Sequence, residues 1–134
     1  MKFAIQKRTG LAVEALHTLR DARGSMQSSD LAAAINTTQT YLPQIMSPLV
    51  KMGWVDSKRG PTGGYVLATD PETISVLDLI EAVEGQTDTE TCVLRGGPCG
   101  GLDQCALHQP WEAARTALLK ELASVPVLTL TNDL

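Results

Sequence analysis

The stretch Gly53-Trp54-Val55-Asp56-Ser57-Lys58-Arg59-Gly60-Pro61-Thr62-Gly63-Gly64-Tyr65-Val66-Leu67-Ala68 decides the fold. Its ends, Trp54–Lys58 and Tyr65–Ala68, are short runs with strand-forming residues. The middle, Arg59–Gly64, holds three glycines and a proline. Two such runs around such a tip predict a β-hairpin, and Lys58 and Arg59 make the tip basic.

Upstream of the hairpin, Tyr41, Leu42, Ile45, Met46 and Leu49 share one helical face, while Thr38, Gln39, Thr40, Gln44 and Ser47 share the other. Pro43 fits this helix best in the first turn, where amides lack partners anyway, so a start near Thr40 is expected. Ser47-Pro48 predicts a kink or restart, and Gly53 the end. Before it, Leu11, Ala12, Ala15, Leu16 and Leu19 stripe a helix from about Ala4 to Ala22, stopped by Gly24. Ser28, Ser29 and Asp30 are N-cap candidates for a two-turn helix carrying Leu31, Ala32 and Ile35, and Asn36-Thr37-Thr38 makes a turn. Two helices, an amphipathic third and a hairpin are the order of a winged helix-turn-helix. In such a fold the third helix enters the major groove and the wing approaches phosphate. Thr38, Gln39, Thr40 and Gln44 are therefore candidate contacts on the helix, and Lys58, Arg59, Thr62 and Gly63 on the wing. Tyr41, Leu42 and Trp54 are assigned to the core.

Downstream, Ser75-Val76-Leu77-Asp78 reads as a capping box opening a helix with Val76, Leu79, Ile80 and Val83 on its apolar face, ending at Gly85. A final helix is expected from Pro110, with Trp111, Ala114, Leu118, Leu122 and Val125 along one stripe, and Val127–Leu130 trailing it. A long helix beyond a small DNA-binding fold is a natural dimer seam, and Trp111 is assigned to that packing. The expected fold class is thus mainly α with a small β-hairpin wing. Residues 1–70 form the winged helix-turn-helix. Residues 71–134 form a connecting helix, a cysteine-rich loop (86–109) and a dimerisation helix, packed as one unit.

With 134 residues, 43% of them hydrophobic and 19% charged, the chain is sized and composed for one globular domain. No run approaches the ~18 apolar residues of a membrane helix, and the opening MKFAIQKRTG lacks a signal peptide's apolar segment, so a cytoplasmic protein is expected. The net charge of -4 conceals an asymmetry. Residues 1–65 carry eight Lys/Arg against four acids, and the remainder three against eleven, a basic half of +4 joined to an acidic half of -8. Catalysis is not expected. No nucleophile–base pair or carboxylate pair stands out, and Gly60-Pro61-Thr62-Gly63-Gly64 lacks the lysine of a phosphate-binding loop.

The segment from Gln86 to Gln109 has little periodicity and holds all three cysteines, Cys92, Cys99 and Cys105, spaced C-x6-C-x5-C, with His108 following as C-x2-H. An odd count without a secretory signal disfavours disulfides and leaves reduced thiols or metal ligands. Three thiolates and an imidazole can close around one centre, and the intervening glycines permit the turns. The spacing leaves several readings open. Structural zinc would more commonly use tight C-x2-4-C pairs, an iron–sulfur cluster suits wider spacing, and metal-free thiols could act as an oxidation switch. Arg95 is the only base inside the loop that could activate a thiolate.

Taken together, Tyr41-Leu42 with Ile45 and Leu49, Gly53-Trp54-Val55, the run Ser57–Ala68 containing RGPTGGY, Ile74, and Glu81-Ala82-Val83-Glu84-Gly85 resemble the Rrf2 family of bacterial transcriptional regulators over nearly the whole chain. The resemblance implies a winged-helix homodimer held by its C-terminal helix, bound to an operator in double-stranded DNA. It also implies an iron–sulfur cluster, sensing cluster status, redox state or nitric oxide, on Cys92, Cys99 and Cys105. In the branch that regulates iron–sulfur assembly the fourth ligand is a histidine three residues after the last cysteine. His108 matches it, so [2Fe-2S] is favoured over [4Fe-4S]. In nitric-oxide sensors an aspartate of the partner's first helix serves a [4Fe-4S] centre, and Gly10 stands at the matching position. Pro43 replaces an acidic residue that takes part in operator discrimination in the iron–sulfur assembly branch. The alternatives are a zinc-stapled winged-helix interaction module and a metal-free thiol-switch regulator.

Overall fold

The computed structural model describes residues 1–61 and 63–131. Thr62 and the last three residues, within the segment assigned to the second unit, lie outside the described residues.

Helix α1 spans Lys7–Ala22 and turns Ala12, Ala15, Leu16 and Leu19 into the core, all at 1% exposure or less. It starts three residues later than the apolar stripe suggested. Its stop also differs from expectation, because Arg23 and not Gly24 takes the left-handed conformation (φ 54°) that closes the helix. Helix α2 (Ser28–Ala34) follows. The serines and Asp30 expected to cap it lie inside it, and the flanking residue is Gln27, which makes no side-chain cap bond. Asn36 (φ 55°) makes the turn into the next element.

Helix α3 runs Leu42–Lys51, close to the expected start, with Pro43 in its first turn. The Thr38 side-chain oxygen accepts the Tyr41 amide (3.1 Å) and the Thr38 carbonyl the Leu42 amide (3.0 Å), so Thr38 supplies the entry turn. The restart expected at Ser47-Pro48 does not occur: α3 is continuous through Pro48. Leu42, Ile45, Met46 and Leu49 are fully buried on its inner face, and that packing holds the helix together across the missing amide. Tyr41 and Trp54 pack partly buried against the same core, in line with their assignment.

Strands β1 (Val55–Lys58) and β2 (Gly64–Leu67) pair antiparallel, Val55 opposite Leu67 and Lys58 opposite Gly64. Met26 forms a separate antiparallel bridge to β2, its amide and carbonyl exchanging bonds of 2.9 and 2.8 Å with Tyr65. A Cβ on Gly64 would overlap the Met26 carbonyl, so this pairing requires glycine there. After a one-turn 3-10 helix at Pro71–Thr73, α4 (Val76–Glu84) opens on the expected capping box, Ser75 and Asp78 each bonding the other's amide.

The last helix, α5, runs His108–Ser124, two residues earlier than the expected start at Pro110. None of its residues is buried in the single chain. Beyond it the chain returns: the Val76 amide donates to the Val125 carbonyl and the Val127 amide to the Ile74 carbonyl (both 2.8 Å). Val127 and Leu128 then join one core with Leu16, Leu42, Ile74 and Leu79. The trailing segment is therefore structural, packed back onto α1, where the Leu130 carbonyl lies 3.0 Å from His17 Nε2.

Candidate metal centre and nucleic-acid interface

The cysteine loop is suspended between α4 and α5 and built from tight turns. Asp88 closes the first, its Oδ1 accepting the Glu90 and Thr91 amides (2.9 and 3.0 Å). Hydrogen bonding to Thr91, with the Glu90 amide, holds the Asp88 carboxyl down at about 2. From α5, Arg115 Nη2 donates to the Thr89 carbonyl (3.1 Å) and pins that turn to the helix. The Cys92 amide donates to the Gly97 carbonyl and the Gly96 amide to the Cys92 carbonyl, with Gly96 in the left-handed region (φ 69°).

These turns bring the sulfurs of Cys92, Cys99 and Cys105 within 4.8 Å of one another, with Cys92 and Cys105 at 3.6 Å. Main-chain amides point at the sulfurs: Arg95 N and Leu94 N lie 3.3 and 3.4 Å from Cys92 Sγ, and Cys105 N 3.2 Å from Cys99 Sγ. The Arg95 amide is the main reason that the Cys92 thiol falls to about 7; burial opposes it and the Leu94 amide assists. Thiolate activation therefore comes from the Arg95 main chain, where the sequence pointed to its side-chain charge. At Cys99 the Cys105 amide favours the thiolate, but burial and the two neighbouring sulfurs together outweigh it, and the thiol goes up.

Soft donors, convergent and supplied with N–H···S bonds, fit a thiophilic metal centre. At a metal–sulfur distance of ~2.3 Å, two thiolates on one tetrahedral ion stand about 3.8 Å apart. The observed spacing suits one ion as it stands, and the glycine turns allow the arms to part for a cluster. His108 adjoins this group without joining it. It shares a small cavity with Cys92, Cys99 and Trp111, while its Nε2 lies 3.7 Å from Glu112 Oε2 and its amide bonds the Cys105 carbonyl. Trp111, assigned from the sequence to dimer packing, lines the same cavity as Cys92 and Cys99.

On the other half of the molecule, Gln39, Thr40 and Gln44 are exposed at the N-terminal end of α3. Thr38 is exposed too, with its hydroxyl engaged by the Tyr41 amide. Lys58 and Arg59 stand exposed at the hairpin tip, and among the described residues neither makes an ion pair. Gly63 is half-buried, and a Cβ there would overlap the Lys58 carbonyl, so its presence has a steric reason independent of any ligand. Thr62 lies outside the described residues.

One side chain that joins the two halves could not be assigned from the local sequence pattern. Glu84, at the end of α4, accepts the Gln6 amide (2.8 Å) and the Thr9 hydroxyl (2.6 Å) through one oxygen, capping α1 from another element. Its place in the Glu81–Gly85 run was the available signal, but a cap 75 residues distant has no local pattern.

Three helices, a hairpin wing with a free basic tip, and an exposed polar face on α3 define a winged-helix protein of the DNA-binding class. The Rrf2 profile, described as an iron-dependent transcriptional regulator, matches residues 5–133. The HTH-type transcriptional regulator IscR of Escherichia coli O1:K1 / APEC is 34% identical over 115 residues, covering 86% of this chain and 70% of that protein. Among solved structures, CymR (YrzC), the global cysteine regulator of B. subtilis, superposes with a TM-score of 0.70 at 25% identity, covering 98% of this chain and all of that one. IscR of T. potens gives 0.67 at 25% identity, covering 99% and 89%. The chain belongs to the Rrf2 family: it is a transcriptional regulator and not an enzyme. No helix among the described residues is long and apolar enough to cross a membrane.

Proposed function

We propose that this regulator is a cytoplasmic homodimer that binds an operator in double-stranded DNA and senses iron–sulfur status, redox state or nitric oxide through an iron–sulfur cluster. The observation that carries the sensing role is the convergence of the Cys92, Cys99 and Cys105 sulfurs in a loop tied to both α4 and α5. Those three thiolates would hold the cluster, and His108 is proposed as the fourth ligand, which favours [2Fe-2S] over [4Fe-4S]. When bound, the cluster supplies a centre that changes charge with redox state and is lost on chemical attack.

The protein's own residues supply the rest. Gln39, Thr40 and Gln44 face the major groove, with Thr38 at the entry turn, and Lys58, Arg59, Thr62 and the Gly63 backbone approach phosphate on the wing. Helix α4 carries the loop at one end and packs on both α1 and α3, so a change in the loop reaches the groove-reading helix through two contacts and the Glu84 tie. The homodimer is supported by α5, none of whose 17 residues is buried in one chain, and by an apolar cleft of about 270 Å³ between the start of α1 and α4.

One duplex, selected from a random library by the metal-loaded protein, tests this reading. Removing the metal is expected to change affinity for that duplex about 5- to 150-fold. The triple variant Cys92→Ser, Cys99→Ser, Cys105→Ser is expected to bind as the metal-free protein does, whatever the iron supply. Equal affinity with and without metal overturns the sensing role.

A second reading has an observation of its own. The sulfur spacing suits a single tetrahedral ion, as in a zinc-stapled interaction module. Stoichiometric zinc in protein isolated with iron freely available would favour it. A metal-free thiol switch draws its support from the lowered Cys92 thiol.

A further inference from the structure

The cysteine loop has two arms. The first, residues 92–98, carries Cys92, and the second, residues 99–105, carries Cys99 and Cys105. Each arm has its own internal turn, the first closed by the Cys92 and Gly96 amides and the second by the Asp103 amide on the Gly100 carbonyl (3.2 Å). Across the gap between the arms there is one nitrogen–oxygen hydrogen-bonded connection among the described residues. Arg95 Nη1, on the first arm, donates to the Asp103 carbonyl at 3.0 Å and to Asp103 Oδ2 at 3.1 Å, on the second. Gly96, Gly97, Gly100 and Gly101 flank the two ends of this connection, and none would place a Cβ in close contact with its surroundings; the other link across the gap is the 3.6 Å approach of the Cys92 and Cys105 sulfurs. The hydrogen bond and charge of Asp103 favour the protonated guanidinium, and charge on Cys99 and Cys105 would do so as well.

We infer that Arg95 and Asp103 form a clasp that ligates nothing itself but presets the three sulfurs around one centre. They are positioning residues of the metal site. The inference rests on reading the cysteines as metal ligands and goes beyond it by naming what assembles them. The physical reason is preorganisation. With the arms held together before metal arrives, less chain entropy is lost on binding, and the guanidinium partly offsets the gathering negative charge.

Cobalt(II) titration of the reduced, metal-free protein tests this through the thiolate-to-cobalt charge-transfer band. Mutating outer-shell partners of a metal site typically costs about 10- to 100-fold in affinity, and a solvent-exposed pair belongs at the low end, so Arg95→Ala is expected to bind cobalt about tenfold more weakly with a less intense band. Asp103→Ala keeps the main-chain carbonyl and should lose less. The double variant should lose no more than Arg95→Ala, because both changes break one connection. Arg95→Lys keeps the charge without the planar fork and should remain several-fold weaker than wild type. Thermal melting of the metal-free variants should match wild type, as the clasp is exposed and distant from the core.

Unchanged cobalt affinity in Arg95→Ala, additive losses in the double variant, or full recovery in Arg95→Lys would each overturn the clasp while leaving the cysteines as ligands. Absence of any charge-transfer band in the wild type would instead overturn the ligand reading, and the clasp with it.

Discussion

Glu84→Ala should destabilise the whole fold, although the side chain sits at the end of a helix and touches no ligand. One carboxylate oxygen accepts the Gln6 amide at 2.8 Å and the Thr9 hydroxyl at 2.6 Å. Helix α1 has no side-chain cap of its own and no acidic residue in its first turn, so Glu84 is also the negative charge at the positive end of its dipole. Thr9 is 2% exposed, and losing its acceptor leaves a buried hydroxyl without a partner. Counting about 1 kcal/mol for the exposed amide bond and about 1–2 kcal/mol for the buried hydroxyl gives a loss of about 2–3 kcal/mol. At about 3–4 °C per kcal/mol for a domain of this size, the melting temperature should fall by about 6–12 °C. Glu84→Gln keeps an acceptor oxygen but not the charge and should cost about 1 kcal/mol. Urea denaturation followed by circular dichroism reads both. In a cycle with Thr9→Val the pair should couple by about 1 kcal/mol. A Glu84→Ala stability within about 0.5 kcal/mol of wild type would refute the reasoning, since it would mean that water replaces both bonds without loss.

Arg59→Ala should weaken binding roughly equally across duplex sequences and reduce the log–log salt slope by about one, measured by fluorescence anisotropy over a salt series; an unchanged slope removes Arg59 from the phosphate contacts. Gly64→Ala should disrupt the exchange between Met26 and Tyr65, seen as faster hydrogen exchange at those amides while α4 amides keep their protection. In metal-free protein, the rate at which iodoacetamide modifies Cys92 should rise through pH 7, because the ionised sulfur is the nucleophile and its thiol sits at about 7, whereas Cys99 should respond only at higher pH; a Cys92 rate flat across pH 7 would refute this. Leu118, 46% exposed on α5, should be a dimer contact, so Leu118→Glu is expected to lower the mass measured by sedimentation from two chains to one without unfolding the winged helix.

The architecture could be read from the sequence wherever the deciding signal was local. The hairpin, the inner face of α3 and the Ser75–Asp78 capping box each depend on residues within one turn or one strand pair, and each stands close to where the pattern placed it. The departures share a cause. The proposed restart at Pro48 weighs one lost amide against local preference, but four buried side chains of α3 decide the outcome. Helices α1 and α2 lack the side-chain caps that sequence reasoning seeks: α1 takes its cap from Glu84, and α2 is anchored by its buried Leu31 and Ala32. Val127 and Leu128 read as a trailing segment because their partners, Ile74 and the α1 face, are distant in sequence.

In the candidate site, the three cysteines were legible from spacing and glycine content, and the structure brings their sulfurs together. What organises them was not. Arg115 reaches the Thr89 carbonyl from another element, and Arg95 meets Asp103 across the loop, contacts that carry no signature of residue type at fixed spacing; the Asp88 turn, whose carboxylate accepts the amides two and three residues on, is local. His108, placed by its spacing after Cys105, lines the same small cavity as Cys92 and Cys99, with its Nε2 3.7 Å from Glu112 Oε2.

The most direct test of the account is to purify the protein anaerobically and record its ultraviolet–visible spectrum together with iron, acid-labile sulfide and zinc per chain. Visible charge-transfer bands and iron matched by sulfide, about two of each per chain for a [2Fe-2S] centre, are the expected result. A colourless protein holding stoichiometric zinc, or one that takes up neither metal after anaerobic reconstitution, would contradict it.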